Sequence, residues 1–168
     1  MKVLETMKQR KSVRRFLNKE VTDEQIKLLM KAAMSAPSAI DQRPWTFYIA
    51  RSEKTKQGVK DAMPFGKYNA SIIVVPCIIE SKTRPGHAHD LAYCDLGAVT
   101  ENILLEAVEL GLGSVWCAVY PDPERIKGVK EALDLPEGIT PYSAIYIGYE
   151  DGEAKPKDKF DEERIHIL

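Results

Sequence analysis

Four cations and a hydroxyl fall within six residues at Arg10-Lys11-Ser12-Val13-Arg14-Arg15. Guanidinium groups bind phosphate bidentately, and a short hydroxyl completes such a site. A solvated charged turn has the same composition, so the run alone leaves both readings open. A second basic stretch, Lys155-Pro156-Lys157-Asp158-Lys159-Phe160, lies near the other end of the chain. By itself it reads as a solvated tail.

Three further segments carry chemistry-bearing residues. Ala36-Pro37-Ser38-Ala39-Ile40-Asp41-Gln42-Arg43-Pro44-Trp45 combines small residues with two prolines. Such a stiff loop lets backbone groups approach a flat ligand, or it is a tight helix-to-strand connection anchored by Trp45. Gly111-Leu112-Gly113-Ser114 has two of the glycines of a dinucleotide fingerprint but lacks the third. It also follows a helix and precedes a strand, the reverse of the required context, and reads as a helix cap and turn. His87-Ala88-His89-Asp90, with Cys94 nearby, has ligand types for zinc or iron. No further paired His or Cys supports a metal, and a polar loop with Asp90 as helix N-cap is the simpler reading.

The elements that must position these residues follow from periodicity. A short helix is expected over 2–11, with Val3, Leu4 and Met7 on one face. Thr22-Asp23-Glu24-Gln25 is a capping box opening a helix that Ala36-Pro37 ends. Trp45–Arg51 alternates as a strand, and Ser52 caps a polar helix to about Met63. Ser71–Glu80 is apolar and β-branched, as expected of a central strand buried on both faces. Asp90–Leu110 is a long helix whose second half is apolar nearly all round, and Gly111 is its natural C-cap. Strand Ser114–Tyr120, a helix opened by Asp122-Pro123, and strand Ser143–Tyr149 follow. Strands separated by helices suggest parallel or mixed pairing in an α+β protein. Glu150–Leu168 is charged and aperiodic.

Composition excludes some classes. With 24 Lys and Arg against 25 Asp and Glu, no global field favours nucleic acid or a membrane surface. Cys77, Cys94 and Cys117 are dispersed and odd in number, which fits reduced thiols in a cytoplasm. The segment Met1–Glu5 lacks the apolar core of a signal peptide, and no run reaches the roughly 18 apolar residues of a membrane span. The whole of 1–168 reads as one domain.

Taken together, these segments resemble the nitroreductase family. The family's Arg-Arg-Ser-Ile/Val-Arg is matched by Arg10 to Arg14, and its Ala-Pro-Ser-Ala-x-Asn-x-Gln-Pro-Trp loop by Ala36 to Trp45, except at Asp41 and Arg43. Asp95-x-Gly97-Ala98-x-x-Glu101-Asn102-Ile103-Leu104-Leu105, running into Gly111–Trp116, resembles the family's interface helix and following strand. Leu135-Pro136-Glu137-Gly138, Ile147-Gly148-Tyr149 and the Lys-rich tail complete the pattern.

The resemblance implies an α+β fold with a central mixed sheet, an intertwined homodimer, and two FMN sites at its interface. It implies an oxidoreductase that passes hydride from NADH or NADPH to a small acceptor, such as a nitroaromatic, quinone or flavin, in ping-pong order. By the same analogy Arg10 and Ser12 hold the FMN phosphate with Lys157 and Lys159, in the basic run that includes Lys11. Arg14 would lie near the pyrimidine edge. Pro37, Ser38, Ala39 and Asp41 would come from the other subunit, and Ala118 and Val119 match the backbone near flavin N5. Residues 150–168 would pack on the partner. No side chain need act as a nucleophile, because the chemistry belongs to the flavin.

Two departures stand out. Asp41 replaces the family Asn and Arg43 its Gln, a paired change that suggests an ion pair compensating a carboxylate near the ring. The short Ser81–His89 segment leaves the acceptor open. A non-catalytic flavin store or sensor, and a metalloenzyme using His87, His89 and Asp90, are the rival readings.

Overall fold

The computed structural model describes residues 2–83, 87–152 and 155–168, and for 87–89 the path of the backbone alone. The helices are α1 (Val3–Gln9), α2 (Asp23–Met34), α3 (Glu53–Asp61), α4 (His87–Glu109) and α5 (Pro123–Ala132). The strands are β1 (Trp45–Ala50), β2 (Ile72–Ile79), β3 (Gly113–Ala118), β4 (Ile139–Pro141) and β5 (Ser143–Gly148). The expected caps are present. Gln25 N–H donates to Thr22 Oγ1 while Gln25 Oε1 accepts from Thr22 N–H, closing the capping box. Ser52 and Asp122 cap α3 and α5.

The sheet order is β1-β2-β5-β3, with β4 also on β2. Every pairing between these strands is antiparallel, which corrects the mixed sheet expected from the helix-strand alternation. The cause lies in the connections. Between β1 and β2 the nine residues of α3 span roughly 14 Å, and an extended return over 62–71 brings the chain back to the same end of the sheet. The long α4 joins β2 to β3, which do run the same way, but β5 inserts between them. Among the described residues the one parallel contact is a bridge between Ser12 and Ser114.

Alternation along the strands builds two cores. Ile72, Val74 and Ile78 of β2 join Phe47, Ile49, Ile145 and Ile147 beneath α2 and α4. Ile73, Val75 and Cys77 join Tyr48, Ala50, Ala144 and Tyr146 on the other face with residues of α3 and α5. Strand β2 is therefore buried on both faces, as its uninterrupted apolar run requires.

A β-bulge separates β4 from β5. From Pro141 to Ile145 is four steps, whereas their partners Cys77 and Val74 are three apart. Pro76, in the middle of a central strand, sits opposite this bulge. It accepts from Tyr142 N–H at 2.9 Å and is asked for no donor there, which is where a strand tolerates proline.

Helix α4 starts at His87, three residues before the Asp90 expected as its cap. The His87 and His89 side chains, and with them the metal-site reading, lie outside the described residues. The helix ends in a Schellman motif: Leu112 N–H bonds Ala107 O and Gly111 N–H bonds Val108 O, with Gly111 at φ 69°. In its second half Ile103, Leu104 and Ala107 are buried, while Leu105, Val108 and, just past its end, Leu110 are only partly covered. On α1, Val3, Leu4 and Met7 are 70%, 59% and 50% exposed, an apolar face left open on a single chain. Residues 155–168 are exposed throughout. No helix among the described residues is long and apolar enough to cross a membrane.

Candidate functional site

Strand β3 is an edge strand, and its α4-facing side is not filled by core. Two clefts meet there. One, of about 390 Å³, is walled by Arg10, Ser12, Glu101, Leu104 and the β3 residues Ser114, Trp116 and Ala118. The other, of about 340 Å³, is walled by Tyr93, Cys94, Gly97, Tyr120 and Tyr142. They share Trp116 and Ala118 and so form one trough. On α4 the lining residues Cys94, Gly97, Glu101 and Leu104 follow helical spacing along one face.

The N-terminal basic run reaches the trough through backbone pairing. Val13 N–H donates to Ser114 O at 2.9 Å, beside the Ser12–Ser114 bridge. Gly113 is required for this approach, because a Cβ there would lie 2.8 Å from Val13. Arg10 is held by Glu101 at 3.3 Å and Lys11 by Glu150 at 2.9 Å, so both cations are oriented by carboxylates. Lys11 lines a neighbouring groove of about 250 Å³ with Glu150 and Pro156, which brings the start of the Lys-rich tail alongside. Arg14 is exposed and lies close enough to Cys117 to favour its thiolate against burial, the larger effect, which raises the Cys117 thiol.

Aromatic rings occupy the far end. Tyr93 and Tyr120 stack at 3.8 Å, and Tyr142 packs against Trp116 at 5.9 Å. Burial first, and then the neighbouring Tyr120, push the Tyr93 hydroxyl up to about 12, and burial also raises that of Tyr142, so both hydroxyls keep their protons at physiological pH. The Tyr142 carbonyl at the bulge accepts from both Val119 and Tyr120 N–H, at 3.2 and 3.0 Å. Val119 is fully buried; Ala118 is exposed, and its carbonyl accepts from Arg125.

Of the expected site residues, Arg10, Ser12 and Ala118 line the trough, Lys11 adjoins it, and Val119 lies just behind it. Pro37, Ser38, Ala39, Asp41 and Arg43 do not line it within one chain. Their loop packs instead on another face of α4, where Asp95 Oδ1 accepts from Ala39 N–H at 3.0 Å. Lys157 and Lys159 are exposed.

These features match known proteins. The nitroreductase family model matches residues 7–64 and 64–149. The chain belongs to the nitroreductase family. It is 36% identical over 99% of its length to a protein of Methanothermobacter thermautotrophicus, covering 87% of that protein. That relative's name carries the provisional assignment NADH dehydrogenase/NAD(P)H nitroreductase. A crystal structure from Parabacteroides distasonis, provisionally named in the same way, superposes with a TM-score of 0.90 at 37% identity, covering 99% of this chain and 98% of that one. An FMN-dependent nitroreductase from Clostridium difficile superposes with a TM-score of 0.87 at 27% identity, covering 98% of each chain.

Asp95 and Glu101 stand in the family's helix pattern in the sequence without an individual role, and Tyr93, Tyr120 and Tyr142 carry no motif there. Tyr93, Gly97 and Glu101 recur every fourth residue, a helical stripe legible in advance. Tyr120 and Tyr142 meet only through the sheet and its bulge, so no local signal announces them.

Proposed function

We propose that this chain is an FMN-dependent oxidoreductase that passes hydride from NADH or NADPH to a small acceptor in ping-pong order, working as a homodimer. The observation that carries the reading is the trough itself. Cations and a hydroxyl stand at one end, an exposed backbone edge at the middle and neutral aromatic rings at the other. That sequence of donors fits a flat ring system bearing a phosphate tail. The family and its named relatives support the same reading.

In this reading Arg10 and Ser12 bind the phosphate, with Lys11, Lys157 and Lys159 completing the cationic end. Arg14 places a permanent positive charge where negative charge collects at the pyrimidine edge. Ala118 and Val119 line the ring's reactive side, and Pro37, Ser38, Ala39, Asp41 and Arg43 of a second copy close the open wall. Bound there, FMN supplies the acceptance and donation of hydride, chemistry no side chain of this chain possesses. Tyr93, Tyr120, Tyr142 and Trp116 exclude water and leave a flat, uncharged slot. Nitroaromatics, quinones and flavins suit that slot as acceptors.

The deciding experiment is the absorbance spectrum of the purified protein. A flavin band at ~450 nm, bleached within seconds by NADH or NADPH and restored by an added quinone or nitroaromatic, is the expected result. A colourless protein with no affinity for FMN would overturn the reading. Bound flavin that neither nucleotide bleaches would indicate a carrier.

A further inference from the structure

Asp95 on α4 is 8% exposed, and its Oδ2 is a buried oxygen without a hydrogen-bond partner among the described residues. Burying a carboxyl with so little compensation works against stability. Among the described residues its one hydrogen bond is that from Ala39 N–H to Oδ1, at 3.0 Å. That amide opens a loop in which three non-glycine residues lie in the left-handed region: Ile40 at φ 48°, Asp41 at 56° and Arg43 at 48°. Such backbone persists only where its surroundings over-determine it. Within the loop, Arg43 N–H donates to Ser38 Oγ and Asp41 N–H to Ser38 O. From outside, Asp95 grips its first turn. Asn102, seven residues further along α4, grips the preceding helix through Ala32 O at 3.0 Å.

An apolar side chain at position 95 would satisfy packing better. What the carboxyl adds is one directed hydrogen bond to a strained loop. We propose that Asp95 is a positioning residue, fixing through the Ala39 amide the left-handed loop that presents the Asp41–Arg43 pair to the functional site. The proposal rests on the reading that this loop of one subunit borders the flavin of the other. Asp95 acts at a distance, through the loop, and touches no reacting atom.

The test compares wild type, Asp95→Asn and Asp95→Ala as purified holoproteins. Three quantities are read: amide hydrogen exchange at Ala39, the FMN dissociation constant and the flavin midpoint potential. Asp95→Ala should lose protection at Ala39 while the α2 and α4 interiors keep theirs, weaken FMN about tenfold or more and shift the potential. Asp95→Asn keeps a side-chain carbonyl acceptor and should stay close to wild type in all three. Ala39→Pro removes the donor but leaves Asp95 untouched, and should reproduce the Asp95→Ala losses in flavin affinity and potential even if Asp95→Ala fails to fold. Unchanged FMN affinity and potential in Ala39→Pro, or Asp95→Asn as impaired as Asp95→Ala, would overturn the proposal. Wild type without flavin would sink the functional reading alone, and Ala39 exchange would still judge the anchor.

Discussion

Asp41 and Arg43 form a bidentate ion pair across a single intervening residue, with Nε 2.7 Å from Oδ1 and Nη2 2.7 Å from Oδ2. The two positions where the chain departs from its family loop are therefore partners. The Arg43 hydrogen bond holds the Asp41 carboxyl below the usual carboxylate range. A depressed folded value means that the pair's contribution is whole above the ordinary carboxylate range and is lost as pH falls below that range through the folded value. Both side chains are exposed, so the effect on stability is small.

Their effect on the flavin should be larger. Removing the guanidinium leaves an uncompensated carboxylate, so Arg43→Gln should lower the flavin potential by about 30 mV, a tenfold change for a two-electron couple. Asp41→Asn combined with Arg43→Gln should largely restore it. Redox titration of wild type, both single variants and the double variant measures the coupling, and purely additive shifts would show that the residues act independently.

The proposed phosphate site predicts loss of cofactor without loss of fold. Arg10→Ala with Lys159→Ala should weaken FMN on the order of a hundredfold, since each charge-assisted contact contributes about 1.5–3 kcal/mol. The far-ultraviolet circular dichroism should not change. Equal flavin affinity in wild type and double variant would remove these residues from the site.

Two nearby glycines should fail differently. Gly111→Ala strains a residue at φ 69° with open space around it, and should cost about 1 kcal/mol in denaturant melts while leaving FMN binding intact. Gly113→Ala drives a Cβ into Val13, should cost about 1–3 kcal/mol, and should displace Ser12 and with it the flavin. Identical behaviour of the two variants would mean that Val13 packing does not seat the basic run.

The thiols differ by burial. Burial pushes Cys77 from an ordinary 9.0 up to about 12, whereas Cys94 is exposed on the aromatic wall. A disulfide reagent at pH 8 should therefore modify Cys94 in flavin-free protein and spare Cys77 until denaturant is added. Added FMN should slow the Cys94 reaction. Because the neutral Cys77 thiol is the native form, its contribution to stability is whole below pH 9 and declines as pH rises toward 12. Rapid native-state labelling of Cys77, read by peptide mass, would contradict this.

The open apolar faces of α1 and α4 predict a dimer. Leu105 lines a groove of about 390 Å³ with Val3 and Ala32, and Leu105→Glu should cost several kcal/mol of association. Light scattering at micromolar concentration should give a dimer for wild type and a monomer for the variant. A monomeric wild type would refute it.

Local chemistry was legible in the sequence. The Thr22–Gln25 capping box, the Gly111 cap, the doubly buried β2 and the alternation of Phe47 and Ile49 against Tyr48 and Ala50 are each decided by neighbours a few residues away. Short-range sterics and hydrogen bonding suffice for them, and the motif order was enough to show the family. Pairing direction was not legible, because a connection that contains a helix can return the chain to either end of the sheet. Nor was the bulge that draws Tyr142 to Val119 and Tyr120, since a one-residue slip in register leaves no mark on either strand alone. Arg10 and Glu101, or Ala39 and Asp95, meet only once burial of the two cores has set α4 against β3 and α2. Those contacts are consequences of packing, which no local pattern encodes.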